Sequence, residues 1–396
     1  MIMEELCMYD FDEIIPREGT NSVKYDLAVK MIPDMDIIPL TVADMDFACA
    51  PEIVQAIKDR ADKKIFGYTV MIDDTYQQAV RNWYIRRYDW DPNVDLTISH
   101  GVVDAIETTV KAVTQPGDNV VIFTPSYSPF KQAVDGADGR NLTYCPLKIT
   151  EEGFGIDFGL FEDICKREET KLFIMCNPHN PTGRVWSPEE LVRIGRICFE
   201  NDVFVLSDEI HADLTRTGVR VTPFKKLFPD EKRIIVCTAP SKTFNLAGLQ
   251  ISNIFIYQDE DGFLMKWKKL NGGAMPNPLS LEAAKAAYTC GDRWLDELRA
   301  YLDENISSLI AYMTKQLPEA KCFAPQATYL VWMDLSAYCT DNEQLEKIMK
   351  NEGVLIEAGQ QFVHNGDGFI RINCACTKAM LMEAAARMVR AIQKNG

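Results

Sequence analysis

Lys242 lies in Ala239-Pro-Ser-Lys-Thr-Phe-Asn-Leu-Ala-Gly-Leu-Gln250, directly after the apolar, β-branched run Ile234-Ile-Val-Cys-Thr238. A lysine just past a buried strand is poorly solvated, and burial favours its neutral amine. That amine attacks carbonyls, so the position suits a Schiff-base lysine. Taken alone, an ordinary surface lysine explains it better. Three further segments also follow apolar runs. Pro125-Ser-Tyr127 comes after Val120–Phe123, Asn177-Pro-His-Asn-Pro-Thr-Gly183 after Lys171–Met175, and Ser207-Asp-Glu-Ile-His211 after Val203–Leu206. A fourth, Ser99-His-Gly-Val-Val-Asp-Ala105, opens a helix with a glycine, which suits backbone amides cradling a phosphate.

Open α/β sheets bind ligands in the crevice at the carboxyl ends of their strands. One cofactor requires an imine lysine, an acid for a ring nitrogen and a phosphate cup together, and that is pyridoxal phosphate. Each residue also has a plainer role. Asp208 is a favoured N-cap type, and Asn180 and Thr182 are common turn residues. Tyr127 could fill the sheet edge, Arg371 could be an exposed strand arginine, Gly101 a turn glycine, and His211 a hydrogen-bonded core histidine. His100 and His364 read as structural.

The elements that must position these residues follow from hydrophobic pattern. From about residue 95 to 285, near-continuous apolar runs alternate with helical patterns, which indicates a mostly parallel α/β sheet. Ser187, Pro188 and Glu190 form a capping box with proline at the first helical position, and Leu191, Ile194 and Ile197-Cys198 mark the apolar face behind it. Ile251–Ile256 follows Lys242 too closely for a helical crossover and is expected to run antiparallel. Beyond about 286 the pattern changes. A helix over Asp292–Gln316, a strand over Ala327–Met333, a helix over Asn342–Asn351, a strand over Gly368–Asn373 and a final helix from Lys378 read as a smaller α+β domain. The division expected is 51–285 for the large cofactor-binding domain, with 1–50 and 286–396 for the small one.

The 396 residues suffice for two cores, and 47% hydrophobic content is ordinary for a globular protein. The net charge of −16 argues against nucleic acid or anionic membrane as a general partner, and no apolar run reaches the length of a membrane helix. Met1-Ile-Met-Glu-Glu-Leu lacks the basic-then-apolar pattern of a signal peptide. The 12 cysteines are scattered through apparent strands and helices, as expected of core residues in a reducing compartment, so the cytoplasm is the expected location. The two thiols of Cys374-Ala-Cys376 do not make a structural zinc site, and no metal is expected.

Over nearly its whole length the chain resembles the fold-type-I pyridoxal-phosphate enzymes, the aspartate aminotransferase superfamily. More narrowly it resembles the MalY/PatB subgroup of cystathionine β-lyases. The shared patterns are Val42-Ala-Asp-Met-Asp-Phe47, Phe66-Gly-Tyr68, Asn177-Pro-His-Asn-Pro-Thr-Gly183, Ser207-Asp-Glu-Ile-His211, Ala239-Pro-Ser-Lys-Thr-Phe-Asn245 and Phe369-Ile-Arg-Ile-Asn373. The resemblance implies a seven-stranded, mostly parallel sheet with one antiparallel strand, and a homodimer with shared sites. It implies Lys242 as the imine lysine and proton carrier, Asp208 as partner of the ring nitrogen, and Tyr127 stacked on the ring. Asn180 and His211 would face the phenolic oxygen. Gly101, Val102 and Ser241 would hold the phosphate with Tyr68 of a second subunit, and Arg371 would clamp the substrate α-carboxylate.

Many aminotransferases carry an arginine eight residues after the imine lysine, where this chain has Gln250. The MalY/PatB pattern shares that uncharged position, and no arginine is obviously dedicated to a second substrate carboxylate, Arg184 being the nearest candidate. The activity expected is α,β-elimination from L-cystathionine or related cysteine S-conjugates. An aminotransferase is the rival enzyme, and a regulatory protein that binds a transcription factor is a third reading, which the intact lysine and aspartate disfavour.

Overall fold

The computed structural model describes residues 9–395 apart from 34, 72, 73, 152 and 259. The leader reading of residues 1–6 lies outside them. Seven strands form the central sheet in the order Leu96–Ser99, Ser252–Ile256, Ile234–Thr238, Phe204–Asp208, Thr170–Cys176, Asn119–Thr124, Asn141–Pro146. Ser252–Ile256 runs antiparallel to both neighbours, and the pairs Ile234–Thr238 through Asn141–Pro146 are parallel. The sheet expected from the sequence is therefore present, including the reversal imposed by the short connection after Lys242.

Alternation along the strands sends side chains to opposite faces. Val121, Phe123, Phe173 and Met175 enter one core, and Val120, Ile122, Leu172 and Ile174 enter another. Burial on both faces explains why these strands read as unbroken apolar runs. Two strand limits differ from expectation by more than one residue. The run expected to stop at Leu206 continues to Asp208, so the aspartate is the last strand residue rather than part of a loop. The run expected from Ala327 begins at Leu330, because Thr328 adopts a left-handed φ of 73° and its hydroxyl accepts from the Leu330 amide at 3.1 Å.

A smaller antiparallel sheet has the order Lys321–Cys322, Leu330–Asp334, Phe369–Asn373, Glu357–Ala358. Ile38–Pro39 pairs in parallel with Val354–Leu355, which ties the N-terminal segment to this unit. The expected division at 286 cuts through the helix Pro278–Cys290, whose Ala287 and Tyr288 still pack in the first core. The change of core comes inside the next helix, Asp292–Gln316. There Trp294, Leu295, Leu298 and Leu302 pack with the large sheet, while Ile306, Leu309 and Met313 pack with the small one. One rigid helix thus spans both cores. Among the described residues no helix is long and apolar enough to cross a membrane.

The helix Pro188–Glu200 starts with the expected capping box. Ser187 Oγ accepts from the Glu190 amide at 3.2 Å, and Glu190 Oε2 accepts from the Ser187 amide at 2.8 Å. Glu190 also binds Arg184 at 2.8 Å, so the cap anchors the loop that ends in Pro-Thr-Gly183. Ser187→Ala is expected to cost about 1 kcal/mol, measured as a lowered urea midpoint; an unchanged unfolding curve would contradict the cap.

Candidate active site

The carboxyl ends of the central strands open into a cavity of about 230 Å³ lined by residues that include Gly101, Val102, Tyr127, Asn180, Asp208, His211, Ser241, Lys242 and Gln250. The five segments singled out in the sequence converge there. Arg371 reaches the same place from the smaller sheet, where its Nη1 donates to Asn180 Oδ1 at 2.9 Å. Tyr68 does not line this cavity. It is 98% exposed and borders an adjoining hollow with Phe66, His100 and Gln250. His100, expected to be structural, lines both spaces.

Lys242 sits on a single helical turn, Pro240–Thr243, immediately after its strand. Its Nζ donates to the Ala43 carbonyl at 2.7 Å. Burial pushes the amine down to about 8; Arg371 pushes the same way, and Asp44, Asp208 and Glu357 oppose it. Asp208 is buried, and its Oδ1 accepts from the Ile210 amide at 3.1 Å. Burial pushes its carboxyl up to about 7, against that amide and the Lys242 charge. His211 is pushed down to about 3 by burial, with Lys242 and Arg371 adding to the effect, and so is neutral at ordinary pH. Among the described residues its buried Nδ1 has no hydrogen-bond partner.

These features fit pyridoxal phosphate. A buried carboxylate with no direct cation partner among the described residues suits a protonated ring nitrogen. Asn180 spends its carbonyl oxygen on Arg371, leaving its amide N–H groups for an oxygen acceptor. Tyr127 stands immediately before the helix Ser128–Asp135 and supplies an aromatic wall. At the other end Gly101 is the N-cap of the twelve-residue helix Val102–Val113, and no side chain caps its free amides. A Cβ on Gly101 would meet nothing within 4 Å, so the space before that helix end is open to a phosphate.

Two motif residues have structural roles. His179 is buried, its Nδ1 lies 2.9 Å from Thr182 Oγ1, and burial pushes it down to about 3. Gly183 has a φ of +68°, and a Cβ there would lie 2.3 Å from Pro325 Cβ. Arg184, the candidate for a second substrate carboxylate, is committed to Phe154 O, Val185 O and Glu190. His364 stacks on Tyr144.

Sequence reasoning missed the residues around Lys242 that act through the backbone. Ala43 contributes a carbonyl, which leaves no side-chain signal, and Tyr329 Oη donates to the same oxygen at 2.8 Å. Val42 adopts a φ of 52°, a genuine outlier for a β-branched residue. The segment is held on several sides. Asn373 Nδ2 donates to the carbonyls of Val42 and Asp44 at 2.7 Å each, and Asn245 Oδ1 accepts from the Met45 amide at 3.0 Å. Arg17 pairs with Asp44 at 2.8 Å and Asp46 at 2.7 Å, and the buried Lys24 pairs with Asp46 at 2.9 Å. The Ala-Asp-Met-Asp-Phe pattern is therefore the frame for one carbonyl. Glu357, which pairs with Arg371, was also missed; only the strand register brings them together.

The sequence profile described as "Aminotransferase class I and II" matches residues 35–388. The chain is 40% identical to cystathionine beta-lyase PatB of Bacillus subtilis over 97% of this chain and 100% of that protein. It is 31% identical to protein MalY of Escherichia coli, covering 98% and 99% of the two chains. The PLP-bound C–S lyase of Staphylococcus hominis superposes with a TM-score of 0.91 at 40% identity, over 97% of this chain and 98% of that one. Cystalysin of Treponema denticola, whose structure contains pyridoxal 5'-phosphate, gives 0.93 at 33% identity over 98% and 99%. The chain belongs to the class I and II aminotransferase family, with the fold-type-I architecture.

In cofactor-free protein, labelling of Lys242 by an amine-selective reagent is expected to rise as pH passes about 8. Asp44→Asn removes a charge that favours the ammonium, so the midpoint should fall further. Peptide mapping by mass spectrometry reads it; a midpoint at the ordinary 10.5, or an upward shift in the variant, would contradict the electrostatics.

Proposed function

We propose that the chain is a pyridoxal-phosphate-dependent C–S β-lyase. It eliminates the thiol from L-cystathionine or a related cysteine S-conjugate, leaving pyruvate and ammonia. The observation that carries this reading is the convergence of Lys242, Asp208 and Asn180 on one cavity whose phosphate end has Gln250 in place of an arginine. The 40% identity to PatB over the full length of that lyase supports it. Arg184 is engaged elsewhere, which disfavours dicarboxylate amino acids as substrates.

When bound, pyridoxal phosphate supplies a carbonyl that condenses with amines and an electron sink for negative charge at the substrate Cα. Lys242 would hold the cofactor through its Nζ, and that amine is the group placed to take the substrate Cα proton; its depressed basicity keeps a fraction of the amine free near neutral pH. The Ala43 carbonyl holds that nitrogen in place between proton transfers. Asp208 would keep the ring nitrogen protonated, the Asn180 amide and neutral His211 would face the phenolic oxygen, and Tyr127 would stack on the ring. The amides of Val102 and its neighbours, the space at Gly101 and the Ser241 hydroxyl would hold the phosphate. Arg371 binds the substrate α-carboxylate.

The assembly we propose is a cytoplasmic homodimer in which Tyr68 completes the phosphate site of the partner. Its full exposure supports this, as do the exposed Phe66 and Met275 around the same hollow, apolar surface of the kind that covers itself by association. The eleven described cysteines are all free thiols, in keeping with a reducing compartment.

Cystathionine should give pyruvate and homocysteine without any keto-acid acceptor. Product that appears only with an acceptor, as an amino acid, would contradict elimination in favour of transamination. Lys242→Ala should lose the covalent cofactor retained after borohydride reduction; retention in that variant would refute the lysine assignment.

A further inference from the structure

Arg371 is the third residue of the strand Phe369–Asn373, and Glu357 stands opposite it in the antiparallel register. Facing residues in such a pair bring their side chains together, and here a Glu357 carboxylate oxygen meets Arg371 Nη2. Nη1 is taken by Asn180 Oδ1 at 2.9 Å, and Nε is buried with no hydrogen-bond partner among the described residues. The guanidinium carbon lies 4.9 Å from the centre of the Phe362 ring. Arg371 is thus fixed by burial, by Asn180 and by an aromatic face. Its side chain is 3% exposed against 18% for Glu357, so the glutamate is the member of the pair able to give way. A carboxylate binds guanidinium through two adjacent N–H groups. One of the nitrogens available for that contact is already facing an anion.

We propose that Glu357 is a specificity residue that selects against carboxylates lacking an ammonium group, a role that rests on Arg371 as the substrate-carboxylate residue. An entering carboxylate must share the guanidinium with Glu357 or displace it, and in either case it approaches a second negative charge. An amino acid brings its own ammonium next to its carboxylate, which offsets that repulsion. A bare carboxylate has no such offset. The excluded class includes the keto acid that the proposed elimination releases, so the same glutamate favours departure of product and disfavours keto-acid acceptors.

Propionate is a suitable probe, being a carboxylate with neither an amine nor a ketone. Its affinity for the holoenzyme is read by calorimetric titration of the wild type, Glu357→Gln and Arg371→Lys. Glutamine keeps the length and an oxygen for Nη2 while removing the charge. Glu357→Gln should bind propionate roughly tenfold more tightly than the wild type, with Arg371→Lys weaker than both. Equal or weaker binding by Glu357→Gln, alongside weakened binding by Arg371→Lys, would overturn the role of Glu357 and leave Arg371 as assigned. Undiminished binding by Arg371→Lys would overturn the arginine assignment and the proposal with it.

Discussion

A carboxylate removed from water needs either a proton or a cation, and Asp208 is placed where that choice matters. Burial carries its carboxyl up to about 7 against the opposing pull of one backbone amide and the Lys242 charge. A cation held against it reverses the shift, because opposite charges at contact favour both ionised forms. Pyridoxal phosphate offers such a cation in its protonated ring nitrogen. The central sheet places Asp208 at the end of a strand paired on both sides, with Cys176 and Cys237 as register partners. Its position is therefore fixed by ladder hydrogen bonds rather than by a loop.

The opposite pole of the site is set by the smaller unit and the N-terminal segment. Asn373 and Arg371 share one strand; the first shapes the Val42–Asp44 backbone and the second fixes Asn180. Through Ala43 that backbone holds the Lys242 amine. Arg17 and Lys24 neutralise Asp44 and Asp46, so a segment carrying two acids can pack beside the site. The strained φ of Val42 persists because contacts from several elements over-determine it. The lysine is thus positioned by parts of the chain that are remote in sequence but packed on one framework, with the helix Asp292–Gln316 crossing both cores.

Much of this was legible in the sequence. Apolar runs with punctuating helices gave the sheet, and the short segment after Lys242 gave the reversed strand, since both follow from local pattern and chain length. The cofactor constellation was legible because each member is a side chain of distinctive chemistry at a strand end. Three things were not. The Ala43 carbonyl carries no side-chain signature. The Glu357–Arg371 pair depends on register between strands joined by an irregular connection. The change of core has no sharp signal, because the helix Asp292–Gln316 serves both cores and amphipathic pattern does not say which core an apolar face meets.

The central claim is that Asp208 and the bound cofactor form an ion pair. The direct measurement is the nitrogen-15 resonance of ring-labelled pyridoxal phosphate in the reconstituted protein as a function of pH. The account predicts a protonated ring nitrogen that persists as pH is raised to about 9. A resonance characteristic of the unprotonated nitrogen at neutral pH would contradict it.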